Sequence, residues 1–255
     1  MDSILAQEYV PSLGVSRGLY APRASVAGVV IHTTGSGVIR RWKRQGKRFK
    51  ERSPFDTAVR IYSRIMTASG HYVVGQEGQI VQLVPEHLAA WHVGGRKARL
   101  YRRRWMRPKY QWWAERWPGY DSPLQLANGE LWKPYDKDAA VSWRARWLSR
   151  HGSCNANTIG IEVVPPTLDP KSAWSDACWL SVVRLTQDIC YRSALPIERQ
   201  RIVSHSDAHP LSRTTRSGVP WDPNPTQFSY EKFLSAKDRL NIVPVATPAS
   251  PPARE

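Results

Sequence analysis

Ile202-Val203-Ser204-His205-Ser206-Asp207, with Trp221-Asp222-Pro223 beyond a loop rich in Arg, Ser and Gly, decides how this chain is read. A short β-branched run predicts a strand that ends on an imidazole, and Asp222 supplies a carboxylate on the loop that follows. Far upstream, Gly28-Val29-Val30-Ile31-His32-Thr33-Thr34 has the same form, an apolar run ending on a histidine. Two strands that each bring a His to one edge of a sheet, with one loop Asp, offer three N/O ligands to a single metal ion. Such a set leaves a fourth tetrahedral position open, which separates catalytic from structural zinc. Taken singly, each histidine is equally well a satisfied structural residue. The reading rests on the three together.

Outward from these stretches the pattern is that of an α/β protein. Val26 to Ile31 is apolar on both faces, as expected of a strand covered on two sides. Ser53 before Pro54 starts a helix, and Ala58, Ile61, Tyr62, Ile65 and Met66 form the stripe that packs it on the sheet. His71-Tyr72-Val73-Val74 and Gln79 to Val84 are two strands joined through Gly75-Gln76-Glu77-Gly78, a hairpin. Ala89-Ala90-Trp91-His92-Val93-Gly94 places Trp91 and His92 either along a cleft or in packing. Asn157 to Val164 is a further strand, interrupted by Glu162. A carboxylate among β-branched residues is costly to bury unless paired or bound, so Glu162 is a functional candidate. The alternative is an edge-strand glutamate turned to water. Ser175 caps a helix with Trp179, Val182, Val183, Thr186, Ile189 and Cys190 on one face, and Gln227 to Leu240 closes the domain as an amphipathic helix.

Pro11, Gly14, Gly18 and Pro22 make residues 1–25 an irregular lead-in; residues 26–240 carry the domain; residues 241–255 are a Pro/Ala-rich tail expected to be disordered. Within the domain, residues 96–150 form a basic insertion rich in tryptophan, including Trp105, Trp112, Trp113 and Trp117. That composition suits a stacking platform for nucleic acid, a sugar-binding surface, or a self-packed satellite core. The net charge of +16 calls for an anionic partner, either nucleic acid or the phosphate- and carboxylate-bearing polymers of a bacterial envelope. No run approaches the roughly 20 apolar residues of a membrane span, and the first residues lack a basic segment followed by an apolar core. Synthesis in the cytoplasm without a secretory signal is expected. The three cysteines show no C-x-x-C spacing: Cys178 and Cys190 read as buried in a helix, Cys154 as a loop thiol.

The order of motifs is more specific than any one of them. Gly-Val-Val-Ile-His, Ser-x-His-Tyr-Val-Val, Gly-x-Ile-x-Gln-Leu-Val, Ala-Trp-His-x-Gly, Asn-Thr-Ile-Gly-Ile-Glu, and His-Ser-Asp before Asp-Pro follow one another through residues 26–95 and 155–235. Together they resemble the zinc-dependent N-acetylmuramoyl-L-alanine amidases of the type-2 family, which include phage endolysins and are related to peptidoglycan recognition proteins. The resemblance implies a mixed central β-sheet flanked by helices, with Zn2+ held by His32, His205 and Asp222 and with Glu162 as the active-site acid-base. Asp207 competes for the carboxylate position, but the family does not use it. The family lysine near the third ligand falls on Arg213 when counted from His205 and on Pro220 when counted back from Asp222. A tyrosine that some phage members carry before the Ser-x-His strand is replaced by Ser69 and Gly70. Arg213 or His92 is then the donor that steadies a developing oxyanion, and Trp91 with His92 lines the substrate. Peptidoglycan or muropeptide is the implied substrate, reached after release or delivery to the wall. Three other readings stand beside this one: a cytoplasmic muropeptide-recycling amidase, a non-catalytic peptidoglycan-binding module, and a nucleic-acid binder using residues 96–117.

Overall fold

The computed structural model describes residues 2–23, 25–34, 53–65, 68–93, 154–167, 172–208, 213 and 221–239. The basic insertion at 96–150 and the tail at 241–255 lie outside them. Among the described residues, β1 (Glu8–Tyr9), β2 (Gly28–Thr33), β3 (Tyr72–Val74), β4 (Ile80–Gln82), β5 (Thr158–Val163) and β6 (Ile202–Ser204) form one mixed sheet in the order β1-β4-β3-β5-β2-β6. At its centre, β2 (Gly28–Thr33) runs parallel to β5 (Thr158–Val163) and to β6 (Ile202–Ser204). Every residue of β2 and β5 is buried, which is why these strands read as near-continuous apolar runs rather than alternating ones. Beyond β5, strand β3 (Tyr72–Val74) is parallel to it and antiparallel to β4 (Ile80–Gln82), the expected hairpin. Its turn needs the left-handed backbone of Gly78, at φ +86°.

Helices cover both faces. Helix α1 is Leu13–Ser16, α2 Pro54–Arg64, α3 Cys154–Asn157, α4 Asp176–Arg192, α5 His205–Ala208 and α6 Tyr230–Arg239. The two expected caps are in place: Ser53 Oγ accepts from Asp56 N at 3.1 Å, with Pro54 opening the helix, and Ser175 Oγ accepts from Cys178 N at 3.2 Å. Against one face of the sheet, Trp179, Val182, Leu185 and Ile189 of α4 and Phe233 of α6 pack on Val29, Ile31, Ile159, Ile161 and Val163. On the other, Ala58, Ile61 and Tyr62 of α2 pack on Val73, Val81 and Leu83. Strand alternation fixes the rest. With Ile31 and Ile161 committed to α4, the next residues along, His32 and Glu162, turn to the opposite face. They stand side by side, since the register pairs His32 with Glu162.

Three expectations are corrected. The lead-in is ordered: β1 (Glu8–Tyr9) adds to the sheet beside β4, and α1 follows under a Ser12 cap. Two residues are too short for any periodicity to register, and Pro11 sits harmlessly between the two elements. The closing helix starts at Tyr230, because Gln227 instead folds back in a turn in which Asn224 Oδ1 accepts from Thr226 N and Gln227 N. Cys154 is no loop thiol. It opens α3, fully buried, and burial pushes its thiol up to about 12, so it is inert, as are Cys178 and Cys190. Glu162, for its part, lies on an inner strand and not on an edge. Among the described residues no helix is long and apolar enough to cross a membrane.

Candidate active site

His32 comes from the end of β2, His205 from the first residue after β6, and Asp222 from the loop beyond α5. Their ligand atoms lie within 4.8 Å of one another, and all three residues are buried. His32 Nδ1 stands 2.8 Å from His205 Nδ1, which stands 3.0 Å from Asp222 Oδ2. Atoms bound at about 2.0–2.1 Å to one tetrahedral zinc are roughly 3.3 Å apart, so this donor set fits such an ion. The second oxygen of Asp222 accepts from Thr33 N at 2.8 Å, which aims Oδ2 at the histidines. Asp207 is otherwise engaged: its carboxylate accepts from Ser204 N and Ser204 Oγ and pairs with Arg199 at 2.8 Å.

Behind His32 a relay of hydrogen bonds sets its tautomer. His92 Nε2 lies 3.1 Å from the Thr158 carbonyl, to which it donates; His92 Nδ1 then accepts from His32 Nε2 at 3.0 Å. That leaves the lone pair of His32 on Nδ1, facing His205 and Asp222. Such backing partners hold a ligating ring in place and raise its basicity. His92 fits only because residue 160 is glycine, since a Cβ there would lie 2.4 Å from the imidazole. With both nitrogens committed, His92 has no free donor for an oxyanion, and it backs His32 instead. Trp91 is half-buried and lies edge-to-face on Tyr20, with ring centroids 5.5 Å apart.

Burial holds His32 well below the usual imidazole range, helped by His205 and His92, and holds His71 there with Arg23 as the next cause. His92 is lowered by burial to about 3. The metal-free protein should therefore lose stability in acid. Unfolded, these imidazoles take up protons below about 6.5, whereas the folded chain refuses them until far lower pH, near 3 for His92. Each contributes a slope of about 1.4 kcal/mol per pH unit within its window. Asp222, raised by burial, and Glu162 act in the opposite sense as pH rises above the ordinary carboxylate range, but three imidazoles outweigh two carboxyls. Thermal unfolding of chelator-treated protein should show Tm climbing from pH 4 to about 6.5; a flat profile would contradict the assignment of neutral buried rings.

Glu162 Oε1 is 3.9 Å from His32 Nδ1, and Oε2 accepts from the Tyr62 hydroxyl at 3.0 Å. Burial, then the charge of Asp222, pushes Glu162 up to about 8, with Tyr62 and Arg213 pulling it back. Burial also keeps Tyr62 well above the phenol range, so it stays a donor. Arg213 is partly exposed; its Nε lies 3.2 Å from Asp222 Oδ2 and 3.2 Å from His205 Nδ1, and its guanidinium covers the Trp221 ring at 5.1 Å. Tyr62 escaped the sequence reading because its place on the α2 stripe marks it as core. Its hydroxyl is the only sign of a second role.

The buried cluster of two histidines and one aspartate thus offers three ligand atoms to a metal ion, with an acidic side chain beside it. Residues 22–224 match the N-acetylmuramoyl-L-alanine amidase family, and the chain belongs to that family. Its class of reaction is the hydrolysis of an amide in peptidoglycan. Comparison with curated proteins finds no match. Among solved structures the chain is similar to a selenomethionine derivative of AmpD, at 18% identity and TM-score 0.47 over 92% of this chain and 95% of that one. It is also similar to AmiD from E. coli, solved with anhydro-N-acetylmuramic acid-L-Ala-D-gamma-Glu-L-Lys, at 18% identity and TM-score 0.46 over 85% and 59%. The amidase LysC from Clostridium intestinale URNW follows at 12% identity and TM-score 0.39 over 88% and 91%.

Proposed function

We propose that this amidase is zinc-dependent, cleaves the bond between the lactyl carbonyl of N-acetylmuramic acid and L-alanine, and works on the assembled wall as a released or delivered lytic enzyme. The observation that carries the reading is the convergence of His32, His205 and Asp222, with Glu162 at 3.9 Å from His32. An unactivated amide resists water because the nucleophile is weak and the nitrogen a poor leaving group. Zinc, when bound by these three residues, supplies Lewis acidity that acidifies water and polarises the carbonyl. The chain's own groups do the rest. Beside a bound dication, whose charge would oppose the burial that raises it, Glu162 is ionised, and its Oε1 takes the proton of the attacking water and passes it to the leaving nitrogen. Arg213 presents N–H donors beside Asp222 to the developing oxyanion, a contribution typically worth about 3 kcal/mol. Trp91 offers an aromatic edge to substrate. The charge of +16 draws the enzyme to anionic envelope polymers in a salt-dependent way, which favours an insoluble substrate.

Purified sacculi digested with and without chelator, followed by mass analysis, test this. Free stem peptides with an L-alanine amino terminus, lost on chelation, are expected. Cleaved glycan strands or cross-links would overturn it, and turnover confined to soluble muropeptides would assign a recycling role. Zinc should also stabilise the fold: at a thousandfold excess over Kd the gain is about 4 kcal/mol. Differential scanning calorimetry of chelated against zinc-loaded protein reads it as a rise in Tm.

A further inference from the structure

We infer that Tyr62 is a positioning residue for Glu162: by binding Oε2 it dedicates the other carboxylate oxygen, Oε1, to the proton transfer. The inference rests on the proposed role of Glu162. A glutamate has three side-chain torsions and two equivalent oxygens, so a lone carboxylate at the end of β5 has no preferred face. Here it has one. The Tyr62 hydroxyl, carried from α2 across the sheet face, donates to Oε2 at 3.0 Å, and Oε1 is the oxygen left on the His32 side, at 3.9 Å from Nδ1. Gly70 packs close to the same side chain, since a Cβ added there would stand 2.9 Å from Glu162 Cγ. Tyr62 cannot swing away either: it is 7% exposed and wedged in the cluster of Ala58, Ile61, Val73 and Val81. A helix on the far side of β3 thus fixes the orientation of an acid on β5. Misplacing a reacting group by about 1 Å can cost on the order of 100-fold in rate.

Tyr62→Phe removes one oxygen and keeps the ring that fills the core. With soluble muropeptide as substrate, kcat should fall about 10- to 100-fold, with KM and zinc content within about twofold of the parent. The same substitution in Glu162→Gln should cause no further loss, because the group it orients is already gone. A readout independent of turnover is the infrared carboxylate band of Glu162 in zinc-free protein, assigned by difference against Glu162→Gln; it should shift in Tyr62→Phe. Tyr20→Phe, which deletes another buried hydroxyl near Ser69, serves as the control and should lower Tm without changing kcat. A Tyr62→Phe enzyme with parental kcat, an unshifted band, or a loss that appears only in KM or zinc content would overturn the inference. If the parent protein itself releases no stem peptide in a chelator-sensitive way, it is the proposed function that fails, not the role of Tyr62.

Discussion

Glu162→Gln should lower the rate of stem-peptide release by about 10²–10⁴-fold while leaving the metal-free protein more stable than its parent. The two effects come from one cause. Glu162 is buried on an inner strand beside Asp222, and the fold has pushed it up to about 8. Between about 4.5 and about 8 the unfolded parent ionises this carboxyl and the folded parent does not, so the parent loses stability as pH rises through that window. An amide of the same shape carries no charge to bury and can still accept from Tyr62, so the penalty disappears. The gap between variant and parent should widen from pH 5 to pH 8. Rate assays on muropeptide and thermal unfolding in chelator check the two halves separately. A variant that retains parental kcat takes Glu162 out of proton transfer; a variant less stable at pH 8 than its parent contradicts the buried, raised acid.

Glu86→Ala costs about 3–5 kcal/mol, roughly 10 °C in Tm for a chain of this size, with no direct effect on the active site. Glu86 is 4% exposed and receives both terminal nitrogens of Arg192, at 2.7 and 2.8 Å. Tyr72 donates its hydroxyl to the same carboxylate at 2.6 Å and accepts from Ser3 N at 3.1 Å. Asp2 closes the ring by accepting from Glu86 N and from Gln82 Nε2, both at 2.8 Å. Removing the carboxylate strands the Tyr72 phenol and takes two charge-assisted bonds from Arg192, which keeps Asp188. The loss comes from that stranding, since an intact buried pair adds little by itself. Glu86→Gln, which keeps an acceptor, should cost less, and Glu86→Leu with Arg192→Met should recover most of the deficit. Chemical denaturation of the three variants decides the matter; equal losses in all three would mean the network contributes through packing alone.

Sequence carried the sheet and the convergence of the candidate ligands for physical reasons that can be named. Strands β2 and β5 are covered on both faces, so their apolar runs stand out, and a histidine or glutamate that breaks such a run is conspicuous. His32, His205 and Asp222 were legible as a set, not singly. What could not be read is what depends on register and on the third dimension. The pairing of His32 with Glu162 follows from how β2 and β5 slide into alignment. The hydroxyl of Tyr62 is invisible behind a ring that satisfies the helical stripe. His92, beside Trp91, reads from sequence either as lining a cleft or as packing, and the family resemblance makes it a substrate group. Only the contacts with Thr158 and His32 show that both its nitrogens are occupied. The edge strand β1 was too brief for any pattern.

The flanking of β2 by β5 and β6 has a consequence for the protein during its own synthesis. Both strands that clasp β2 are translated more than a hundred residues after His32, and Asp222 later still. No nascent fragment that stops short of residue 222 can assemble the hydrolytic centre. On the proposed reading of the site, competence arrives only once Asp222 has been made, and products terminated before it should be inert.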